Sequence, residues 1–191
     1  MKRIIMKIIT DLTQIKKIAA KKEDENWEYR AYLKGLSMPS EEVDAIVHRI
    51  LAEVTAAIDC THCGNCCKKI RPTLDEEDIR IFADGLKLTV DEFREQYLTR
   101  EEDAPSVIIF NDLPCPFLVD LRCVNYPNRP KECQSYPHLQ KPEFTSRSIS
   151  VLFNYEICPI VFNVFEQLKR ELWQSPYRTR EYYFSIKISY Y

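Results

Sequence analysis

Four cysteines within eight residues, Cys60-Thr61-His62-Cys63-Gly64-Asn65-Cys66-Cys67, constrain this chain more than any other stretch of its sequence. A loop this short leaves its thiols no room to separate into an ordinary core. Sulfur donors at a two-residue spacing suit a soft or borderline metal, because a tight turn brings both thiolates to one ion at about 2.3 Å. Gly64 and Asn65 are residue types that tolerate the positive φ of such turns. Cys115, Cys123, Cys133 and Cys158 complete a set of eight. A metal or iron–sulfur centre is the first expectation.

The second half of the set is dispersed, as Cys115-x7-Cys123-x9-Cys133-x24-Cys158. Two independent zinc knuckles would show two paired CxxC units, and only the first half is paired. Ligands must therefore converge from several loops. The first half also departs from the ferredoxin run C-x2-C-x2-C-x3-C-P, since its fourth cysteine follows the third directly. Adjacent side chains tend to point apart, so Cys66 and Cys67 are not expected to serve one ion equally. Three arrangements stay open: two four-thiolate sites, one multi-iron cluster with spare cysteines, or one metal beside a reactive thiol. His62 and His138 each stand near a cysteine as substitute ligands, whereas His48 reads as a solvated or core-edge histidine. Lys68, Lys69, Arg71, Arg122, Arg129 and Lys131 crowd the motifs. Their charge would stabilise thiolates, or they form a solvated basic face.

Composition narrows the function class. At 191 residues, 45% apolar and 29% charged, the chain reads as a globular protein able to bury a core. A formal net charge of −2 gives no reason to expect nucleic acid. Three glycines leave no phosphate-cradling loop, and no Ser/His/Asp arrangement or H-E-x-x-H motif singles out a catalytic residue. No stretch approaches the roughly 20 apolar residues of a membrane span. The start, Met1 to Ile9, is basic, but Lys7 breaks its apolar run and no cleavage site follows. A cytoplasmic location is expected, where thiols stay reduced and serve as ligands instead of forming four disulfides.

Residues 1–36 read as helical for most of their length, capped by Thr10 or Asp11 and running to Gly35. Ser40 is the expected cap of an amphipathic helix through Val43, Val47, Ile50 and Val54 that leads into Cys60. Thr73-x-x-Glu76 and Thr89-x-x-Glu92 fit the capping box ahead of two short helices. Val107–Phe110 and Phe117–Val119 are strand candidates for a small hairpin carrying Cys115 and Cys123. Residues 126–137 are a proline-stiffened loop. Ser148 to Phe153 alternates like a strand, Cys158-Pro159 opens a last helix, and Tyr182 to Tyr191 alternates like an edge strand.

Together, the cysteine run, Pro114-Cys115-Pro116-Phe117-Leu118, Cys123, Tyr126-Pro127-Asn128-Arg129-Pro130-x-x-Cys133-x-x-Tyr136-Pro137 and Cys158-Pro159 resemble the CxxCxxCC family of zinc- or iron-chelating cysteine-cluster proteins. The resemblance covers roughly residues 58–160. Gln134 stands where a basic residue is common in the family. What the resemblance implies is a metal or iron–sulfur centre built from Cys60, Cys63, Cys66, Cys67, Cys115, Cys123, Cys133 and Cys158. One branch is similar to the flagellin lysine N-methylases, which use S-adenosylmethionine; this chain is short for such an enzyme and has no glycine-rich cofactor loop.

The expected fold is α+β, a mostly helical single domain with a small hairpin or sheet around a cysteine-bound metal centre. Residues 1–40 form a helical extension and 41–191 the metal-binding domain. The leading function is metal binding through an iron–sulfur cluster, of the [4Fe–4S] type, or zinc. The alternatives are an iron–sulfur-dependent enzyme acting on a protein by methyl transfer or redox chemistry, and a purely structural zinc module that binds a partner.

Overall fold

The computed structural model describes residues 7–173. The basic start and the strand expected over Tyr182 to Tyr191 lie outside them. The architecture is α+β and mostly helical, as the sequence patterns require. The described residues divide into a helical unit, 7–58 with 137–173, and a cysteine unit, residues 59–136. Among the described residues no helix is long and apolar enough to cross a membrane.

The helical unit is built around its last helix. Helices α1 (Leu12–Lys21) and α2 (Glu23–Lys34) replace the one long helix expected near the start. Asp11 caps α1 by accepting from Gln14 N at 2.8 Å. Lys22 breaks the run, and its N–H donates back to Ile18 O and Ala19 O. Helix α3 (Ser40–Thr55) buries Val43, Val47, Ile50 and Val54, as its periodicity predicts. Ser40 is its first residue and not its cap: the hydroxyl donates to Glu143 Oε2 at 3.2 Å. The helix also ends at Thr55, short of Cys60.

Residues 148–153 are helical, not extended, because they belong to a helix over Phe144–Phe153. The cause lies far away in sequence. The buried Asp44 carboxylate on α3 accepts from Glu143 N at 2.8 Å and Phe144 N at 2.9 Å, satisfying the amides that a helix start leaves orphaned. The last helix, Pro159–Leu168, begins on Cys158 with proline at its first position, where no N–H is needed. It buries Ile160, Val161, Phe162, Val164, Phe165 and Leu168 and packs on α1 and α3. A helix apolar on all sides has to lie inside.

Several buried polar groups within this unit are paired, although Asn26 Oδ1, Tyr29 OH and Arg30 Nε are buried without a hydrogen-bond partner among the described residues. Asn163, fully buried, donates to Ile9 O and Pro159 O, both at 2.7 Å, and accepts from Ile9 N at 3.0 Å. Lys169, its side chain 1% exposed, reaches Glu25 and Glu166 at 2.8 Å each. Lys22 also pairs with Glu166 at 2.6 Å, and the Tyr155 hydroxyl donates to Glu166 at 2.7 Å. Burial pushes the Glu166 carboxyl up, but these hydrogen bonds outweigh it and hold the group below the usual carboxylate range.

The cysteine unit starts with a 3-10 turn at Cys60–His62 and helix α4 (Asn65–Lys69). Strand β1 (Thr73–Leu74) leads into α5 (Glu76–Gly85), and α6 (Val90–Tyr97) leads into β2 (Leu98–Arg100). The capping box at Thr89 and Glu92 forms as expected. The one proposed at Thr73 and Glu76 does not: Thr73 pairs with Ile109 in the sheet, and Asp75 with Asp78 makes the box instead. Strand β3 (Ile108–Phe110) lies between β1 and β2, antiparallel to both. The expected pairing of 107–110 with 117–119 is therefore replaced. Strand β4 (Leu118–Val119) pairs with β5 (Arg122–Cys123) across the Asp120-Leu121 turn. Phe82, Phe93, Phe110 and Phe117 form the core, with Phe82 and Phe117 centroids 4.7 Å apart, and Cys115 and Cys123 pack against it.

Candidate metal centre

Three backbone devices bring the thiols toward one another. The cysteine run seats on the β4–β5 hairpin at Gly64, which has φ +59°. A Cβ there would stand 3.1 Å from Leu121 O and 3.2 Å from Leu118 Cδ1, so the left-handed turn and the close approach both call for glycine. Cys115 N donates to Cys67 O at 2.8 Å, stitching the run to the segment after the cis Leu113–Pro114 bond.

The third device holds Cys133. Helix α7 (Lys131–Ser135) carries it, and α5 fixes the loop before it at two points. Asp78, buried, accepts from Lys131 N at 3.0 Å. At the other end of α5, buried Asn125 donates to Phe82 O at 2.8 Å and accepts from Asn128 at the same distance. Gly85 admits this contact: a Cβ would lie 2.2 Å from Asn128 Nδ2 and 2.4 Å from Asn125 Oδ1. The stiff proline loop is legible in the sequence, whereas the roles of Asp78, Asn125 and Asn128 are not. Their signal is buried polarity, which only the fold exposes.

None of the eight cysteines forms a disulfide. Cys67, Cys115, Cys123 and Cys133 stand within one another's electrostatic field, in all six pairs. Burial first, then the neighbouring thiols, push Cys133 up to about 12. Burial also pushes Cys115 up to about 11 and raises Cys123, against N–H groups of Phe117 and Asn125 aimed at the two sulfurs. Cys67 runs the other way. The hydrogen bond with Cys66 outweighs burial and, with a backbone N–H and the Arg129 charge, draws it down to about 7. The Cys66 and Cys67 sulfurs are 3.9 Å apart. Vicinal side chains here do not diverge as expected.

The remaining candidates are placed differently. Cys60 is exposed and Cys63 half-buried on the 3-10 turn. Cys158, 6% exposed, lies in the helical unit at the start of the last helix. His62 engages both ring nitrogens, Nδ1 with Asp59 at 3.1 Å and Nε2 with Arg122 at 3.3 Å. His138 belongs to the helical unit, and its carbonyl accepts from Arg147. His48 is exposed on α3.

The donor chemistry fits a thiophilic ion. Burial and neighbouring thiols hold Cys115, Cys123 and Cys133 in the neutral form while Cys67 is drawn toward the thiolate, and a cation among them would favour ionisation of all four. Among the described residues, no three His, Cys, Asp or Glu side chains are gathered as a ready coordination shell. Loading would have to draw the sulfurs inward from their present positions.

Residues 59–150 match the model of a family described as CxxCxxCC: Putative zinc- or iron-chelating domain. The match spans the whole cysteine unit and runs into the helix at 144–153. No curated protein and no solved structure matches the chain.

Proposed function

We propose that the chain, which matches the CxxCxxCC zinc- or iron-chelating family over residues 59–150, is a member of that family and that Cys67, Cys115, Cys123 and Cys133 are the four ligands of its centre. One observation carries this reading: Cys67, Cys115 and Cys123 all act on Cys133, Cys67 acts on Cys115 and Cys123, and Cys115 N is bonded to Cys67 O at 2.8 Å. Four thiolates serve a tetrahedral zinc ion or, one per iron, a [4Fe–4S] cluster. Of the eight cysteines, Cys66 is the hydrogen-bonding neighbour of Cys67, and Cys60 and Cys63 are outer thiols of the same run. Cys158 serves the last helix.

Four thiols for four positions make a closed centre, the arrangement of structural sites. When bound, the metal supplies the positive charge that lets all four ionise. The protein's own part is to hold the hairpin, the cysteine run and α7 at one place. Metal-binding free energy then becomes folding free energy of the cysteine unit. A reducing, cytoplasmic setting keeps such thiols available.

The test is metal and acid-labile sulfide content, with a visible spectrum, on protein purified without oxygen. The expected result is zinc without sulfide or iron with sulfide, lost from Cys67→Ser and from Cys133→Ser but kept in Cys60→Ser. Wild-type metal content in both Cys67→Ser and Cys133→Ser would sink the four-thiol assignment. The sulfide reading separates the two metals.

A further inference from the structure

Cys66 lies against a proposed ligand without being one itself. Its sulfur is 3.9 Å from the Cys67 sulfur, and both residues are half-buried, with part of their surface in solvent. The peptide that joins them is held on both sides. Cys66 O accepts from Ile70 N at 2.8 Å, the bond at the end of α4, and Cys67 O accepts from Cys115 N at 2.8 Å. Two thiols thus sit nearly in contact on a short helix whose carbonyls are engaged.

Neighbouring Cα atoms are about 3.8 Å apart across a trans peptide, whereas those of a disulfide stand roughly 4.4–6.8 Å apart. A bond between Cys66 and Cys67 therefore needs local backbone deformation, and strained disulfides are the readily reduced, regulatory ones. A cysteine sulfenic acid condenses with a thiol beside it. We propose that Cys66 and Cys67 are a redox switch: a hydroperoxide closes them into a vicinal disulfide that withdraws Cys67 from the centre, and a small thiol reopens it. The proposal rests on the four-thiolate reading above, in which Cys67 is a ligand and Cys66 is not.

The Cys66 sulfur attacks one oxygen of the hydroperoxide, the O–O bond breaks, and the thiol proton leaves with the alcohol or water formed. The Cys67 sulfur then attacks the sulfenic sulfur, so that the S–S bond forms and the S–O bond breaks. The hydroxyl departs as water, with a proton from the Cys67 thiol or, where a metal holds that sulfur, from solvent. The two sulfurs lose two electrons and the hydroperoxide gains them. Closing the ring turns the 66–67 peptide, so the carbonyl bonds to Ile70 and Cys115 are the ones that open.

The test treats the zinc-loaded full chain with hydrogen peroxide and follows zinc release with a colorimetric chelator. Mass spectrometry of the digested protein locates the disulfide, and reduced glutathione is then added. Wild type should release zinc, carry a disulfide between Cys66 and Cys67, and rebind zinc after glutathione. Amide exchange at Ile70 and Cys115 should quicken in the oxidised protein. Cys66→Ser should bind zinc and keep it over the time in which wild type loses it. A disulfide from Cys67 to Cys115, Cys123 or Cys133, or release with no Cys66–Cys67 disulfide, would overturn the switch. Equally fast release from Cys66→Ser would overturn it too, while leaving the four-thiolate reading intact. If a folded Cys66→Ser binds no zinc, or oxidised wild type keeps its zinc with the disulfide formed, the four-thiolate reading fails instead. Should Cys66→Ser not fold, the position of the disulfide in wild type decides alone.

Discussion

The helical unit and the cysteine unit handle buried charge in opposite ways. In the helical unit, Lys169 lies inside with two carboxylates at 2.8 Å, and Lys22 and Tyr155 complete the group. Its charges balance within the chain. In the cysteine unit, Cys67, Cys115, Cys123 and Cys133 are half-buried, and the Arg129 charge bears on three of them. The unit's core is also smaller, a cluster of phenylalanines under a three-stranded and a two-stranded sheet. One unit pairs its buried lysine within its own chain; in the other, burial raises the thiols of Cys115, Cys123 and Cys133. Small cores are the ones that take metal staples.

The largest expected effect breaks the comparison outright. Withdrawing metal with a chelator should leave amide exchange in α3 and in the helix at 159–168 nearly unchanged. Protection of α5, α7 and the β4–β5 hairpin should fall by about a hundredfold, the gain that a ligand at a hundred times its Kd confers. Hydrogen exchange read by mass spectrometry checks this, and a uniform loss across both units would contradict it. The next effect sharpens the other side. Lys169→Met leaves Glu25 and Glu166 short of their buried partner and should cost about 3 kcal/mol of stability, with metal content untouched. A denaturation midpoint close to wild type would show that Lys22 suffices. The smallest concerns Gly85→Ala. Helix propensity favours alanine by about 1 kcal/mol, but the added Cβ meets buried Asn125 and Asn128, at an overpacking cost of about 1–3 kcal/mol. A net loss of about 1 kcal/mol and weaker metal retention are expected; a stabilised variant would mean that the asparagine pair yields easily.

Local chemistry made much of this molecule legible. Asp11, Thr89 with Glu92, and Cys158-Pro159 start helices where their sequence says they should, because capping is decided within four residues. The heptad-like apolar spacing of α3 names its buried face correctly for the same reason. The misreadings have non-local causes. Ile149 and Val151 alternate with serines like a strand, yet Asp44 starts a helix there from another element. Thr73 has capping chemistry, yet Ile109 claims it for a sheet. At the site, the cysteine spacing pointed to convergence from several loops; Cys115 N is bonded to Cys67 O, but among the described residues no three potential ligands are gathered as a coordination shell. Nothing in that spacing revealed that Cys66 and Cys67 face the same way, or that Cys158 lies in the helical unit.

Asp44 has a consequence in time as well as in space. Its partners, Glu143 and Phe144, are about a hundred positions downstream, and the whole cysteine unit is encoded between them. The helix at 144–153 thus has its start signal on a distant part of the chain. Nucleating a short helix alone is unfavourable, and a contact of such sequence separation forms slowly. During synthesis the acceptor emerges first, so Asp44 is already in place on α3 when its donors leave the ribosome. The start signal of that helix is complete only once both segments have left the ribosome.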